Sequence, residues 1–337
     1  MLLVTGGAGY IGSHAVLNLI ENNYNVLIFD NLENGHIETV NTLIGFGNVK
    51  FVKGDLRNLE DLENLFNSYN IDGVIHFAAF ALVEESVKKP SKYYINNIYG
   101  TINLLDTMIK HNVKKIVFSS TCATYGEPKY TPIDENHTQN TINPYGYSKL
   151  VVEHIMDDYD KAYELKSIRL RYFNVAGSDE KIRIGEWHEP ETHLIPNIIK
   201  SAINESKTFN IFGADYDTKD GTCIRDYVNV LDLAEAHRLA YEYLLKENQT
   251  EVFNLGTGNG YSVKEVFNAC EKVLNKKIPV EIKSRRSGDP AKLYADITKA
   301  KKILKWEPKR TLEESIKTAY LWENYIFSNT ASNMLYK

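Results

Sequence analysis

Cysteine is scarce in this sequence. The 337 residues include 3 cysteines, which stand far apart at Cys122, Cys223 and Cys270. An odd number, with no Cys-x-x-Cys pair and no Cys/His cluster, indicates neither a disulfide framework nor a zinc site. We therefore expect no metal, and the low cysteine content fits a reducing cytoplasm.

Long apolar runs and an excess of basic charge are also missing. The formal net charge is −5 and the isoelectric point is near 6.0, which gives no general attraction to nucleic acid or to anionic membranes. No segment reaches the apolar length of a membrane span, and the start, MLLVTGG, lacks the basic residues of a signal peptide. We expect a soluble, unprocessed, cytoplasmic protein with no nucleic-acid or membrane partner.

Short apolar runs alternate with helical patterns in the first half of the chain. Hydrophobic residues make up 43% of the sequence, enough for a full core. Strands separated by helices predict βαβ units and a parallel sheet, and so an α/β fold. The predicted strands are LLVT, NVLIFD, VKFVKGD, GVIHFAA, KKIVFSS and KSIRLRYFN, then NIFG, EVFNLG and VEIK, and the predicted helices include 11–22, 195–206, 230–247, 262–275 and 311–326.

The alternation breaks after residue 176. The stretch 176–193 is rich in Gly, Asp, Glu and Pro, which is typical of a loop that leads into a second, smaller domain. We therefore divide the chain into a first domain at 1–175 and a second at 176–337. This division leaves open that some segments of the second half belong to the first domain.

A glycine-rich turn follows the first predicted strand. LLVT runs into GGAGYIG and then a helical pattern, which places Gly6, Gly9 and Gly12 where a backbone must turn sharply and approach a pyrophosphate. The second strand ends in Asp30, near the place of an acid that bonds the adenosine ribose, and no arginine follows in NLENGH, which favours NAD over NADP. Taken alone, the glycines also fit an ordinary tight turn, and Asp30 also fits a plain strand end.

The stretch PYGYSKL places Tyr145 four residues before Lys149 at the start of a predicted helix. Residues four apart share a helical face, so the lysine is expected to hold its charge beside the phenol and lower the pKa of Tyr145. A phenol with a lowered pKa transfers protons near neutral pH. On spacing alone, a surface i,i+4 pair with no catalytic role is favoured over a catalytic pair.

Seven motifs in order carry a family resemblance. TGGAGYIGSH, DNLENG, GDLRN, HFAA, SSTCATYG, PYGYSK and RYFN stand at the spacing of the extended short-chain dehydrogenase/reductases, which the chain resembles. The later segments ETHLIP, IFGADYDTKDGTCIRDYVNV, DLAEAH, VFNLGTG and RRSGDP resemble those of the UDP-glucose 4-epimerases. The resemblance runs from Leu2 to about Trp322.

The resemblance implies a Rossmann-type, doubly wound parallel sheet that binds NAD at 1–175 and a smaller α/β domain that binds the UDP-sugar at 176–337. It implies that UDP-glucose and UDP-galactose interconvert through transient oxidation at C4 to a 4-keto sugar, as in galactose metabolism. Tyr145 takes the O4 proton, Lys149 supports it, and Thr121 bonds the sugar O4 with the hydroxyl that many members supply from serine. The Asp-Glu pair that sugar-nucleotide 4,6-dehydratases carry after this threonine is replaced by Cys122 and Ala123.

The remaining site residues are also implied by the resemblance. The cofactor-binding set is Gly6, Gly9, Tyr10, Ile11, Gly12, Asp30, Asn31, Asn34, Gly35, Asp55, Leu56, Phe77, Ala78, Ala79, Asn96, Tyr145, Lys149 and Tyr172. The substrate-binding set is Thr121, Tyr145, Asn174, His193, Leu194, Asn210, Phe212, Arg225, Arg286 and Asp289. Arginine forks suit the diphosphate of such a substrate.

Two residues depart from the family pattern. Ala81 stands shortly after HFAA, where the epimerases often have a lysine near the cofactor. Leu293 stands where some members have a large tyrosine beside the sugar C2 substituent, and Tyr294 follows it. The smaller side chain makes the UDP-GlcNAc/UDP-GalNAc pair a candidate for a second pair of substrates.

Other readings of the chain stay open at this point. An epimerase of UDP-uronic acids or UDP-pentoses shares the same motifs, and a non-catalytic NAD-sensing or scaffold protein shares the fold. Such non-catalytic relatives typically lose the tyrosine and lysine pair that this chain retains. By resemblance, we expect a homodimer that pairs through the helices near 93–111 and 145–165.

Overall fold

The computed structural model of the chain describes residues 1–204, 207–285 and 289–335, with side chains described as far as residue 328. In chain order, the strands are β1 (Leu2–Thr5), β2 (Val26–Asp30), β3 (Val49–Lys53), β4 (Gly73–His76), β5 (Lys115–Thr121), β6 (Lys166–Tyr172), β7 (Asn174–Ala176), β8 (Phe209–Phe212), β9 (Ile224–Arg225), β10 (Tyr227–Asn229), β11 (Glu251–Leu255), β12 (Tyr261–Ser262), β13 (Val280–Lys283) and β14 (Lys292–Leu293). The helices are α1 (Tyr10–Glu21), α2 (Ile37–Ile44), α3 (Leu59–Ser68), α4 (Val83–Lys88), α5 (Pro90–Tyr93), α6 (Gly100–Lys110), α7 (Pro144–Tyr163), α8 (Leu194–Ile203), α9 (Val230–Glu247), α10 (Val263–Leu274), α11 (Thr298–Ile303) and α12 (Leu312–Leu335). A π-helical segment at Tyr94–Tyr99 precedes α6, and a 3-10 turn at Cys122–Thr124 follows β5.

The central sheet has seven strands in the order β3-β2-β1-β4-β5-β6-β11, and all neighbours in it are parallel. From β1 the chain builds outward to β3, then crosses back to place β4 on the other side of β1. The strand order therefore reverses between β1 and β4. In parallel sheets, the crevice at the carboxyl ends of the strands beside such a reversal is where ligands bind.

Alternation of side chains along each strand buries both faces of this sheet. Leu2 and Val4 of β1 point into one core together with Val16 of α1. Leu3 points into the opposite core, which contains Leu104 of α6. Each of these side chains stabilises the fold by about 1.5–3 kcal/mol through burial, and burial on both faces explains why the strands are continuously apolar in sequence.

The second half forms smaller sheets and a third core. β7 pairs with β10, β9 pairs with β12 and β14, and β8 pairs with β13. Helices α8, α10 and α12 pack around this third core, where Ile199, Val266 and Ile316 are buried. None of the described helices is both long enough and apolar enough to cross a bilayer.

The predicted α/β fold with a parallel sheet is confirmed, and the predicted strands form. The prediction for the last helix was too short, because α12 continues to Leu335. The strand predicted at EVFNLG is β11, which pairs with β6 in the central sheet, and α9 before it packs on α1. Residues 230–255 therefore complete the first half's sheet, although they come from the second half of the chain.

Candidate active site

Two glycines in the loop after β1 stand where a larger residue does not fit. Gly6 has a φ of +72°, and a Cβ there would lie 2.6 Å from the Ala78 backbone nitrogen. A Cβ on Gly12 would lie 2.2 Å from the Gly6 carbonyl oxygen. Gly9 precedes α1, and among the described residues no side chain caps this helix end. The tight loop and the open helix N-terminus fit a diphosphate, which binds backbone N–H groups at the positive end of a helix.

Asp30 lies buried at the carboxyl end of β2 and holds this loop in place. Its carboxylate accepts hydrogen bonds from the N–H groups of Ala8 at 3.1 Å and Leu32 at 2.8 Å. Burial raises the pKa of Asp30, and the two backbone bonds oppose that rise. Gly35 packs closely against the same loop, since a Cβ on it would lie 2.7 Å from the Ala8 Cβ. The structure thus brings two predicted cofactor residues, Asp30 and Gly35, to the glycine loop.

A second polar group lies beside Asp30. The Asn31 side-chain amide donates to Asp55 at 2.9 Å, while Asn34 is exposed. Arg57 bonds Asp55 at 2.9 Å and Glu33 at 3.0 Å, and its guanidinium lowers the pKa of Asp55 to about 2. Arg57 lies outside NLENGH, the segment whose lack of arginine favoured NAD over NADP. Because the carboxylates of Asp55 and Glu33 already neutralise Arg57, the edge of the crevice beside Asp30 remains suited to a ribose hydroxyl.

Tyr10 opens α1 and joins the cofactor loop to the second half of the chain. Its hydroxyl donates to the Gly177 carbonyl oxygen at 2.6 Å, and its ring meets the His188 ring edge-on, with centroids 6.1 Å apart. Ile11 packs against the core on one side of the sheet, and Leu56 is buried in the core on the other.

The segment after β4 lies directly against the glycine loop. The N–H groups of Phe77 and Ala78 both donate to the Thr5 carbonyl oxygen, at 2.9 Å and 3.2 Å. Ala79 is half-buried behind them and Ala81 is exposed. Three of the residues predicted for the cofactor therefore line the side of the crevice next to Gly6.

Asn97, which the sequence analysis missed, fixes the end of that segment. Its side chain accepts from the Phe80 N–H at 2.9 Å and donates to the Phe80 carbonyl oxygen at 3.0 Å. The predicted Asn96 donates to the Asn97 side chain at 3.0 Å. The Lys92 ammonium group lies over the Phe80 ring, 3.9 Å from the ring centre. Tyr172 is buried at the end of β6, where its hydroxyl bonds the Ser119 hydroxyl.

The start of α7 holds Tyr145 next to Thr121. The Asn143 side chain caps the helix by accepting from the Gly146 N–H at 2.8 Å. A Cβ on Gly146 would lie 2.5 Å from the Ala123 carbonyl oxygen, so the helix packs directly on the turn after β5. This close approach places Tyr145 beside Thr121, near enough for the Thr121 side chain to lower the pKa of Tyr145. The structure therefore brings together two of the three predicted catalytic residues.

The predicted effect of Lys149 on Tyr145 was wrong for this state of the protein. Burial raises the pKa of Tyr145 to about 12, opposed only by the bond to Thr121 among the lowering causes. The Lys149 amine donates instead to the Ser119 carbonyl oxygen at 2.8 Å, and burial lowers its own pKa to about 7. The two residues share a helical face, but the lysine side chain extends to the strand rather than to the phenol.

A buried ion pair that the sequence analysis missed supports this part of α7. Glu153 lies one helical turn after Lys149 and bonds Arg171 of β6 at 2.5 Å and 2.9 Å. Its carboxylate also accepts from the Ser120 hydroxyl, next to Thr121. Burial raises the pKa of Glu153, but Arg171 outweighs it and the pKa is lowered. The repeated spacing of four residues from Tyr145 to Lys149 to Glu153 was the available signal.

Arg225 and Asp289 meet at the substrate end. Arg225 is buried in β9, and its guanidinium donates to the Pro290 carbonyl oxygen at 2.8 Å and to the Asp289 carboxylate at 3.2 Å. Leu293 in β14 is the cross-strand partner of Arg225. Arg286 lies outside the described residues.

This arginine lies near the catalytic strand. Burial raises the pKa of Cys122 to about 12, and the charge of Arg225 opposes that rise. Cys122 directly follows Thr121. Asn174 lies in β7, where its N–H donates to the Asp226 carbonyl oxygen at 3.0 Å, beside Arg225. The predicted catalytic and diphosphate-binding residues therefore share one region.

The other predicted substrate residues lie on α8 and β8. His193 precedes α8, and Leu194 is its first residue and packs on the third core. Asn210 and Phe212 are two apart in β8, so they share one face of the strand and are half-buried there. Phe209 and Ile211 occupy the opposite face and enter the third core. For Phe212, a simple core role is therefore disfavoured.

Four side chains between β7 and α8 converge. Of these four, only His193 was assigned a role from the sequence. Glu186 Oε1 lies 2.6 Å from His193 Nδ1 and 3.3 Å from His188 Nδ1. Glu191 lies 3.4 Å from His193 through Oε1 and 3.7 Å from His188 through Oε2. The cysteine pattern predicted no metal site, and the pattern E-x-H-x-x-E-x-H in EWHEPETH contains no cysteine.

The electrostatics of this cluster are dominated by the two carboxylates. Burial lowers the pKa of both histidines, but Glu186 and Glu191 outweigh it and raise the pKa of His188 to about 9 and of His193 to about 10. The Trp322 indole N–H fixes the backbone of the segment by donating to the Glu186 carbonyl oxygen at 2.8 Å. The cluster is therefore rigidly placed.

Comparison of the sequence with known proteins identifies relatives of this chain. A protein-family model described as GDP-mannose 4,6 dehydratase matches residues 3–319. The UDP-glucose 4-epimerase of Halalkalibacterium halodurans is 51% identical over 322 residues, which cover 95% of each chain.

Solved structures agree over the whole fold. A UDP-glucose-4-epimerase from Stenotrophomonas maltophila, with bound NAD and formylated UDP-arabinopyranose, superposes with a TM-score of 0.94 at 37% identity, covering 97% of this chain and 99% of that one. The UDP-Glc/GlcNAc 4-epimerase of Campylobacter jejuni superposes with a TM-score of 0.85 at 42% identity, covering 96% of this chain and 99% of that one.

Proposed function

The chain belongs to the UDP-glucose 4-epimerases, NAD-dependent enzymes that interconvert UDP-glucose and UDP-galactose, and from that premise we propose how its residues divide the reaction. The observation that carries this proposal is the placement of Tyr145 beside Thr121 at the carboxyl end of β5, on the same edge of the parallel sheet as the glycine loop after β1. Both groups lie in the crevice where the strand order reverses.

The first half of the chain holds the cofactor. The loop at Gly6 and Gly12 and the N-terminus of α1 receive the diphosphate of NAD, and Asp30 receives the adenosine ribose. Asn31 and Asp55 form the adjoining edge. When bound, the nicotinamide of NAD accepts hydride from C4 of the hexose and returns it. The other residues predicted for the cofactor, from Phe77 to Asn96 and Tyr172, line the remaining walls of this crevice.

Tyr145 takes and returns the proton of the sugar O4. This role requires the phenolate, and Thr121 supplies a hydrogen bond that lowers the pKa of Tyr145 against the effect of burial. The Thr121 hydroxyl is also placed to bond O4. Lys149 is held by Ser119 in the same wall and contributes a cationic group whose charge responds to pH in the neutral range.

The second half grips the nucleotide while leaving the sugar free to turn. Arg225, oriented by Asp289, presents a guanidinium to the diphosphate. We assign Asn174, His193, Leu194, Asn210, Phe212 and Arg286 to the rest of the UDP site. A firm hold on UDP is needed because inversion at C4 requires the 4-keto sugar to expose its other face.

The Tyr145→Phe variant tests this assignment. Purified protein is mixed with UDP-galactose, and the anomeric signals are followed by proton NMR with and without added NAD. We expect UDP-glucose to appear with the wild type and the rate to fall by about 10²-fold or more in the variant, because the general base is lost. Tyr147→Phe, which changes an exposed tyrosine of the same helix, is the control and should keep the wild-type rate.

Contrary outcomes separate the alternatives. Full activity of Tyr145→Phe would remove Tyr145 from the mechanism. No turnover of UDP-galactose by the wild type, with NAD supplied, would reject the glucose/galactose assignment and favour acetylated, uronate or pentose nucleotides.

We also propose UDP-GlcNAc and UDP-GalNAc as a second substrate pair. Leu293 is paired with Arg225 across β14 and β9, which places it at the substrate end, and the C. jejuni relative is a UDP-Glc/GlcNAc 4-epimerase. A leucine leaves more room than a tyrosine beside the sugar C2 substituent.

The Leu293→Tyr variant tests this second activity. We expect kcat/KM for UDP-GlcNAc to fall by about tenfold or more while that for UDP-glucose changes little, because only the acetylated sugar needs the space. Leu293→Met, which keeps a similar volume, is the control. No acetylated turnover by the wild type, or equal losses on both substrates, would reject the proposal.

We also propose how the protein assembles and where it is located. Exposed apolar side chains mark the π-helical segment and α7, namely Ile95, Tyr99, Tyr147 and Tyr163, and this surface supports a homodimer through the helices near 93–111 and 145–165. A monomer mass by light scattering would reject the dimer. The three cysteines are buried and form no disulfide, which supports the cytoplasm, and cell fractionation tests it. We propose 1–175 as the NAD-binding domain and 176–337 as the UDP-sugar domain, with 230–255 returning to the first.

A further inference from the structure

The segment EWHEPETH, at 186–193, gathers four side chains, of which only His193 has been given a role in the proposed function. One ligand atom from each of Glu186, His188, Glu191 and His193 lies within 4.8 Å of the others. Both carboxylates are almost fully buried, with 3% of each side chain exposed. Among the described residues this is the one cluster of at least three histidine, cysteine or acidic side chains with such spacing.

The spacing of these atoms matches the edges of a coordination tetrahedron. Metal–ligand distances of about 2.0–2.1 Å to imidazole and carboxylate place neighbouring ligand atoms about 3.3 Å apart. Glu186 Oε1 lies 3.3 Å from His188 Nδ1, and His188 Nδ1 lies 3.7 Å from Glu191 Oε2. The contact of 2.6 Å between Glu186 Oε1 and His193 Nδ1 is a hydrogen bond, and it opens when a metal ion replaces its proton.

Two buried atoms in the cluster form no well-aligned hydrogen bond to any described residue, although the histidine nitrogen among them lies 3.3 Å from Glu186 Oε1. They are His188 Nδ1 and Glu191 Oε2. A charged imidazole beside a carboxylate usually closes to about 2.7–2.9 Å, so the gap of 3.7 Å between them is too long for a bond but suits two ligands of one ion. The other carboxylate oxygen, Glu191 Oε1, accepts from the N–H groups of Thr192 at 2.7 Å and His193 at 2.8 Å. Those bonds orient the carboxylate and leave Oε2 for the ion.

Charge alone does not distinguish a metal site from an ion-pair network. Two protonated histidines neutralise two glutamates, and so does one divalent cation with two neutral histidines. The geometry decides between them, because a network of protonated imidazoles has no reason to leave a buried nitrogen and a buried oxygen apart.

We propose that Glu186, His188, Glu191 and His193 bind one divalent transition-metal ion, and that zinc fits best. Two imidazole nitrogens and two carboxylate oxygens form a ligand set that zinc accepts in tetrahedral geometry. A cavity lined by Glu186, His188 and Phe327 opens beside the cluster and gives the ion a path from solvent.

The site is structural rather than catalytic, because all four positions are filled by protein ligands. The ion holds the connection between β7 and α8 against two neighbours. Trp322 of α12 bonds the Glu186 backbone, and the Trp187 ring stacks on His36, next to the cofactor loop, at 3.9 Å between centroids. His193 coordinates through Nδ1, which leaves Nε2 for contacts outside the cluster.

Metal content and stability test the proposal on full-length protein with any purification tag removed, since polyhistidine binds the same ions. We expect about one equivalent of zinc per chain by mass spectrometry, a lower Tm after removal with a strong chelator, and recovery of that Tm when zinc alone is added back. Replacement by Co²⁺ should give the intense visible absorption of a tetrahedral cobalt site.

Variants locate the ion. His188→Ala and Glu191→Gln should each lower metal retention by about tenfold or more and abolish the cobalt absorption. His154→Ala, which removes an exposed histidine of α7, should retain the metal. Chelation and zinc addition on the wild type keep the proposal testable if a variant does not fold.

Two outcomes would overturn the proposal. A wild type that retains no metal, and whose Tm neither falls with chelator nor rises with zinc, would show that the cluster is an ion-pair network. Zinc retained equally by His188→Ala and the wild type would place the ion elsewhere.

Discussion

At the scale of single residues, burial governs the chemistry of the α7 site more strongly than sequence spacing does. Burial of Lys149 destabilises its charged form, because the ammonium group is removed from water. Its pKa is therefore lowered from 10.5 to about 7. Between about pH 7 and the ordinary pKa of lysine, the unfolded chain binds a proton that the folded chain does not. The free energy of unfolding therefore rises with pH across this window, and below it the full burial penalty remains.

The Lys149→Met variant should expose this penalty. We expect the wild type to gain about 3 kcal/mol of unfolding free energy relative to the variant between about pH 7 and about pH 10, as the lysine loses its charge. Urea denaturation of both proteins at the two pH values measures the difference. Lys161→Met, at an exposed position of the same helix, is the control. A difference between wild type and Lys149→Met that does not change with pH would contradict the assigned burial.

Residue types at motif positions were predictable, but their partners were not. Tyr145, Lys149 and Asp30 stand where the motifs place them, because strand ends and helix starts are local features. The bond from Lys149 to Ser119 and the ion pair of Arg225 with Asp289 join segments far apart in the chain. Such contacts depend on how strands pair, which no local pattern reports.

At the scale of elements, the approach of α7 to the turn after β5 sets the active-site geometry. The absence of a side chain at Gly146 allows the helix to touch Ala123, since a Cβ would lie 2.5 Å from that carbonyl oxygen. The N-terminal end of α7, and with it Tyr145, must move outward if this space is filled.

The Gly146→Ala variant tests the role of this contact. We expect kcat for UDP-galactose to fall by about 10²-fold, because a displacement of about 1 Å between a catalytic group and its target is enough for such a loss. Helix content by circular dichroism should remain near that of the wild type. Gly45→Ala, at the end of α2 and away from the crevice, is the control. An unchanged kcat would show that the contact does not position Tyr145.

Element types followed from the sequence more readily than element partners. The central strands were predicted because each is an apolar run bounded by turns, and α9 was predicted at its observed bounds because its apolar residues repeat with helical spacing. The partner of EVFNLG was not predictable from that segment, since an apolar strand fits either sheet. The pairing of β11 with β6 depends on α9, because this helix packs on α1 and so brings the following strand to the edge of the central sheet.

At the scale of the whole molecule, the proposed site draws its residues from both halves of the chain. The first half supplies the cofactor loop, Tyr145 and Thr121, while the second supplies Arg225 and Asp289. The bond from Tyr10 to Gly177 joins the halves directly at the cofactor loop. A hydrogen that leaves C4 as hydride would be carbon-bound on the reduced cofactor, where it does not exchange with water, and the same hydrogen would return to C4.

The most direct test uses UDP-galactose labelled with deuterium at C4 in ordinary water. We predict that the UDP-glucose formed by the wild type carries the deuterium at C4, as measured by NMR and mass spectrometry, because the hydrogen leaves and returns within one site. UDP-glucose with ordinary hydrogen at C4 would contradict the account, since it would mean that the hydrogen exchanges with solvent as a proton.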